Sequence, residues 1–243
     1  MEVKLLTHTP EPERITVAAA LLCYQKGTPQ EAYEKAGSEK LKNRLFNELV
    51  KQGHGSVLEH ANFTFGISGM SRSCSHQLVR HRMGAFNQQS QRYVHVGDYE
   101  YFVVPPSLDE EKFKDITKQI VDYYNSEVQN LKGKGKTAEQ SQEDARFIIP
   151  NAGKTNVIWT TNLRNLIHVA HYRLCNRSQW EIRKLLGLVK KEMQSKFPVI
   201  AQYLTPKCDF YLYCDEGQRT CGRIPVKEKI ASLIEKYTSE LKT

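Results

Sequence analysis

Two stretches of strict two-residue alternation, far apart in the chain, most constrain how this sequence folds. Phe63, Phe65 and Ile67 alternate with small or polar residues, and Thr155, Val157, Trp159 and Thr161 repeat the pattern. Side chains two apart share one face of a strand, so each stretch predicts a half-buried β-strand. Tyr99 to Val104 reads as a further strand, stopped by Pro105-Pro106. Between them the period becomes helical. Leu41, Leu45, Leu49 and Val50 share a face in a segment opened by Ser38 and stopped by Gly53. Phe113, Ile116, Ile120, Tyr124, Val128 and Leu131 mark a long amphipathic helix with a capping box at Ser107 and Glu110. The pattern predicts an α+β fold: one compact domain over residues 1–243, long helices around a small mixed or antiparallel sheet.

Local signals complete this reading. Thr28-Pro29-Gln30-Glu31 predicts a helix start, with a threonine cap, proline at the first helical position and glutamate closing a capping box. Residues 70–83 return to a helical pattern that delivers Arg80-His81-Arg82 near its end, and the polar run from Asn87 to Arg92 reads as a loop. The turn at Gly133 to Lys136 leads into a helix that lasts until Pro150. Leu163, Leu166, Ile167 and Ala170 share a helical face, and Ser178 to Glu181 caps another helix through Leu185, Leu186, Val189 and Met193. No repeat or low-complexity linker suggests a domain boundary.

Composition excludes other classes. The chain is 40% hydrophobic and 26% charged, ordinary for a globular protein. No apolar run approaches the ~20 residues of a membrane span, and the opening MEVKLLTHTPEPER has no signal-peptide core. Six cysteines without secretory context predict reduced thiols in the cytoplasm.

The net charge of +8 is unevenly placed. Residues 60–97 contain no acid and carry Arg72, Arg80, Arg82 and Arg92; residues 145–180 contain none and carry Arg146, Lys154, Arg164, Arg173 and Arg177. Outside these windows basic and acidic residues nearly cancel. Arginine dominates both windows, and its planar fork suits phosphate and carboxylate. Two readings follow: a concave anion site assembled from both windows, or a groove for nucleic acid. No recognised nucleic-acid-binding signature accompanies the arginines, which favours the first and predicts no nucleic-acid partner. On a helix, Arg80 and Arg82 point about 200° apart, so they predict contacts to two different anionic ligands, or to one ligand and a partner subunit.

The order GHGSVLEH (Gly53 to His60), a strand, then RHRMGAFNQQSQRY sets Arg80-His81-Arg82 seven residues before Ser90. With WTTNLRNLIHVAHYRLCNRSQWEIR (Trp159 to Arg183), this resembles the flavin-dependent thymidylate synthase family, whose signature is RHR, seven residues, then serine. The resemblance implies a homotetramer with active sites at subunit interfaces, holding FAD, dUMP and methylenetetrahydrofolate, with NADPH as reductant. The implied reaction moves the methylene of 5,10-methylenetetrahydrofolate to C5 of dUMP and reduces it to the methyl of dTMP with FADH2, without a cysteine nucleophile. The alternative is a non-catalytic or altered-specificity paralogue that binds a pyrimidine nucleotide or flavin.

By resemblance, Gln77, Arg80, Gln88, Ser90, Gln91, Arg92, Arg146 and Arg173 match positions around dUMP. His54, Ser56, Glu59, Arg80, His81, Arg82, Asn87, Asn162, Arg164, His168 and Arg177 match positions around FAD. Arg173, Ser90 and His54 are the implied catalytic set. Arg173 matches the arginine held against the uracil ring, where a fixed guanidinium stabilises charge developing on the pyrimidine. Ser90 has no base visibly dedicated to it, so phosphate binding suits its hydroxyl better than nucleophilic attack. His60, His76 and His95 are read as structural or unassigned. Ala85 and Gln88 depart from residues frequent in the family, serine or threonine and glutamate, and His168 and Arg177 occupy variable positions. No GxGxxG follows a strand, so a flavin here is held by this scattered set.

The cysteines complete the inventory. Cys23, Cys74 and Cys175 sit in helical patterns, as small buried hydrophobes do. Cys208, Cys214 and Cys221 are spaced too widely for paired zinc ligands and lack an evident fourth, so no metal is expected and a loop of reduced thiols is.

Overall fold

The computed structural model describes residues 1–96 and 98–240, with side chains to residue 235. The two alternating stretches form its longest strands. β1 (Glu2–His8), β2 (Asn62–Ser71), β3 (Gly84–Gln88) and β4 (Lys154–Asn162) make one sheet in the order β1-β2-β4-β3. Its register is antiparallel. The Thr64 and Thr160 hydroxyls meet at 2.9 Å, while the Gly69 N–H donates to Asn156 Oδ1 at 3.1 Å, so β2 and β4 run in opposite directions. Gln89 N–H donates to the Asn156 carbonyl at 2.9 Å and Phe86 stacks on Trp159, which sets β3 antiparallel to β4.

Four helices precede β2: α1 (Pro12–Tyr24), α2 (Pro29–Lys35), α3 (Glu39–Lys51) and α4 (Gly55–Leu58). α5 (Arg72–Leu78) joins β2 to β3, and α6 (Glu110–Gly133) and α7 (Ala138–Ala145) lie between β3 and β4. After β4 come α8 (Leu163–Arg173), α9 (Trp180–Lys196), α10 (Pro198–Ala201), α11 (Lys207–Tyr211) and α12 (Lys227–Glu240).

The chain gathers into two compact units, residues 1–3 with 66–159, and residues 4–65 with 160–243. In the second unit Phe46, Phe63, Phe65, Leu163, Leu166 and Leu185 are fully buried. Each such side chain contributes about 1.5–3 kcal/mol on leaving water. In the first unit Val96, Tyr124, Val128 and Ala145 form a cluster beneath α6, with Tyr101 and Ile149 against it.

The Thr28 capping box forms as read: Thr28 Oγ1 accepts from Glu31 N–H, and the Glu31 carboxylate accepts from Thr28 N–H. Gly53 ends α3 with a left-handed φ of 76°. Other expectations are corrected. α5 stops at Leu78, where the His81 N–H closes a turn onto the Leu78 carbonyl at 3.1 Å. Arg80-His81-Arg82 therefore lies in the turn between α5 and β3, and the helical separation of its two arginines does not apply. Part of the polar run after it, Asn87 and Gln88, belongs to β3 rather than a loop, because their backbone pairs with β4 despite their polar side chains.

Tyr99–Tyr101 is a single 3₁₀ turn capped by Asp98, not a strand, and Phe102 adds an isolated bridge to Gly153. α6 is capped by Asp109, whose Oδ1 accepts from Lys112 N–H at 3.1 Å, not by Ser107. α9 is capped by Gln179, whose Oε1 accepts from Glu181 and Ile182 at 2.9 and 3.1 Å; Ser178 instead donates to the Tyr172 carbonyl. In both cases a polar side chain nearer the first turn wins the free N–H groups. β1 and α1 had no reading in the sequence.

Candidate functional site

In the first unit the signature residues surround β3 and the turn after it. Gln88 Nε2 donates to Ser75 Oγ at 3.1 Å and to Thr155 Oγ1 at 3.2 Å. Both amide hydrogens are thus used inside the protein. A glutamate at this position would only accept, so the two hydroxyls would have to donate to it. Gln91 is buried, with Nε2 donating to Tyr101 Oη at 3.0 Å, and Gln77 donates weakly to the Ser73 carbonyl. Ser90 Oγ accepts from the Arg92 backbone N–H at 3.2 Å, a serine turn that shapes the loop. Among the described residues no base hydrogen-bonds its hydroxyl. Asn87, Arg80 and Arg82 are exposed, and His81 is half-buried.

Arg92 sits at the centre of this group. Its Nη2 reaches the carboxylates of Glu139 at 2.7 Å and Glu143 at 3.3 Å, both on α7. Its Nε is buried with no partner. Arg146 follows α7 directly, and its Nε donates to the Glu143 carbonyl at 3.3 Å. Glu139 and Glu143 escaped the sequence reading; the available signal was an i,i+4 acid pair on a helix with no basic residue of its own. Arg72, one of the arginines of the acid-free window, donates from Nη2 to the Gln89 carbonyl at 3.0 Å, and its Nε is buried and unpartnered.

In the second unit the remaining positions lie on or beside α4 and α8. His54 precedes α4, is exposed, and its Nε2 lies 3.1 Å from Gln52 Oε1. It borders a groove of about 470 Å³ with an apolar wall of Leu21, Leu41 and Leu45 and cations at Lys35 and Arg44. Ser56 is exposed, and its carbonyl accepts from the Glu59 N–H. The Glu59 carboxylate takes the Arg164 guanidinium at 2.6 Å. Asn162 caps α8, its Oδ1 accepting from Asn165 N–H at 2.9 Å. Arg173 closes the same helix, where a cation opposes the C-terminal partial charge. His168 packs on Tyr172, and burial, with Arg164 and Lys207 nearby, lowers its pKa. Arg177 is exposed.

The thiols lie apart from these groups. Cys74 is fully buried, Cys23 is exposed with Sγ donating to the Ala19 carbonyl, and Cys175 is half-buried beyond the end of α8. Only the first of the three behaves as the buried hydrophobe expected of all of them. Cys208 lies in the first turn of α11 beside Arg223, and burial pushes its thiol up. All six cysteines are free, and among the described residues no cluster of three His, Cys, Asp or Glu side chains is placed to hold a metal ion.

The donor set fits a flavin dinucleotide and a nucleotide. Arg80, Arg82 and Arg177 are exposed and make no ion pair among the described residues, leaving cations for phosphate oxygens. An antiparallel α+β fold with exposed arginines, polar amides and no glycine-rich phosphate loop defines a class of anion-binding protein unlike the Rossmann proteins. More particularly, the family model for thymidylate synthase complementing protein matches residues 4–199, and the chain belongs to that family.

Among curated relatives, the flavin-dependent thymidylate synthase of Clostridium tetani is 37% identical over 243 residues, covering 95% of this chain and 96% of that protein. That of Geobacter sulfurreducens is 41% identical over 225 residues, covering 92% and 94%. The crystal structure of thymidylate synthase X from Helicobacter pylori with FAD and dUMP shares the fold, with a TM-score of 0.67 at 23% identity over 86% of this chain and 99% of that one.

Proposed function

We infer that this protein is a flavin-dependent thymidylate synthase, a methyltransferase that makes dTMP from dUMP. The observation that carries it is identity of 37% and 41% to proteins of that name over more than nine-tenths of both chains. FAD is its cofactor, and when bound the flavin supplies the hydride that completes the methyl group. The methylene comes from 5,10-methylenetetrahydrofolate, and NADPH regenerates the reduced flavin.

The chain's own residues have these proposed tasks. Ser90, Arg92 and Arg146 bind the phosphate of dUMP, with Gln77, Arg80, Gln88 and Gln91 framing the loop that holds it. Arg173, anchored at the end of α8, stabilises negative charge on the pyrimidine as C5 turns nucleophilic. Arg80, Arg82 and Arg177 bind flavin phosphates; His54, Ser56, Glu59, His81, Asn87, Asn162, Arg164 and His168 complete that set. His54 orients the ring system at the mouth of its groove. No thiol belongs to either set, which suits methylation without a cysteine adduct. Residues 1–243 act as one synthase domain, and the assembly is a homotetramer, supported by strongly exposed apolar side chains such as Phe147 at 86% and Met83 at 66%. No described helix is long and apolar enough to cross a membrane, and we place the enzyme in the cytoplasm.

Two measurements on the purified protein test this. Denaturation should release a free FAD spectrum, and tritium should leave 5-³H-dUMP in the presence of 5,10-methylenetetrahydrofolate, NADPH and FAD. A folded protein that binds no added FAD overturns the reading.

A further inference from the structure

Glu139 and Glu143 stand one turn apart on α7, which offers no basic residue between Ala138 and Ala145. Like charges at that spacing weaken a helix. Glu143 also lies toward the C-terminal end, where the helix dipole disfavours an acid. Glu139 suits the first turn of the helix, but Glu143 does not, and the pair repels itself. Both carboxylates instead converge on one nitrogen, Nη2 of Arg92, at 2.7 and 3.3 Å. The contact is made although Arg92 Nε stays buried without a partner, a donor left unsatisfied at a cost.

Arg146 brings a second guanidinium to the same place through the Glu143 carbonyl. Lys136, just before α7, is engaged by Asp144. The cluster therefore holds two guanidinium groups and two carboxylates and carries no net charge. The Arg92 side chain is 40% exposed and each glutamate 41%, so a diffusible anion can reach the pair.

We propose that Glu139 and Glu143 are specificity-determining residues that restrict the Arg92 site to a nucleoside monophosphate. This rests on the reading that Arg92 binds the phosphate of dUMP. A single phosphate shares the guanidinium with the carboxylates. Every further phosphate of a di- or triphosphate adds negative charge against the same two carboxylates, and the cluster's own cations, Arg92 and Arg146, are already engaged there. One added charge a few ångströms from a partly exposed carboxylate changes binding by on the order of tenfold. A glutamine keeps an acceptor for Arg92 and removes that repulsion.

The test measures dissociation constants of dUMP, dUDP and dUTP on the FAD-loaded enzyme, for the wild type, Glu139→Gln, Glu143→Gln and the double variant. We expect the dUTP-to-dUMP ratio to fall about tenfold or more in the double variant and part-way in each single one. In the wild type, raising salt from low to physiological ionic strength should narrow the same ratio by screening the repulsion. A ratio unchanged by the substitutions, even where both affinities move together, assigns the glutamates a purely structural role and overturns the proposal. So does a wild-type ratio indifferent to salt, which needs no variant to fold. Arg92→Ala separates the premise: it should weaken dUMP at least tenfold, and an unchanged dUMP affinity overturns the phosphate assignment itself.

Discussion

The Arg164 guanidinium donates to the Glu59 carboxylate at 2.6 Å, joining residues 105 positions apart, and Gly55 leaves it the room to do so. A Cβ at position 55 meets Arg164 Nε at 2.7 Å and Cζ at 3.1 Å. Both partners of the pair belong to the proposed flavin set, and a side chain at position 55 requires the Arg164 side chain to shift.

Gly55→Ala should therefore displace Arg164 from Glu59. The pair is largely exposed, so stability should change by less than about 1 kcal/mol. FAD affinity should fall by about tenfold, the value of one charge-assisted contact. Titration of the apoprotein with FAD, alongside thermal unfolding, checks both. Undiminished flavin affinity would remove Arg164 from the site.

Arg173→Lys should lower methyl transfer far more than flavin reduction. Lysine keeps the charge at the end of α8 but loses the planar fork. A cost of roughly 2–4 kcal/mol in the oxidative half-reaction follows by analogy with removing one oxyanion donor. Stopped-flow absorbance separates the halves. Equal losses in both, or full turnover restored by saturating dUMP, would make Arg173 a binding residue only.

Cys175→Ser should leave methylation intact, because the thiol lies past the end of α8 and outside both residue sets. Cys74→Ala should also stay active while costing about 1 kcal/mol of stability, since it shrinks a fully buried side chain. Tritium release and urea unfolding distinguish the two effects. Loss of chemistry with dUMP still bound, in either variant, would bring back a thiol-adduct mechanism.

His171 makes stability depend on pH. It packs against Phe210 and Tyr211, its Nε2 is buried without a partner, and burial, with His168 and Lys207 nearby, lowers its pKa from 6.5 to about 4. The unfolded chain therefore binds a proton that the native protein refuses. This contribution is complete above the unfolded pKa and is lost as pH falls from about 6.5 toward 4. Unfolding free energies across that window should decline less steeply in His171→Phe than in the wild type. Parallel declines would rule the residue out as a source of acid sensitivity.

Much of this was legible in one dimension. The alternation at Phe63 and at Thr155 identified the two strands that contribute to both compact units. The Thr28 box identified a helix start, because its donors and acceptors lie within four residues. The RHR motif with Ser90 and the Trp159 block identified the family, since residue types at fixed spacing survive without any coordinates.

What stayed hidden depends on long-range pairing. β3 carries polar side chains and is a strand because Gln89 and Phe86 meet β4. β1 has too few alternating apolar positions to stand out, and its buried Val3 and Leu5 acquire meaning from the sheet. The turn holding Arg80 to Arg82 follows from where α5 stops, which local helical periodicity does not encode. The sequence by itself determined the fold class, the family and the identities of the arginines. The tertiary structure decided which charges face one another: that Arg92 meets two glutamates of α7, and that Arg164 meets Glu59 over a glycine. The reason is physical, since ion pairing acts through space over a few ångströms and is blind to separation along the chain.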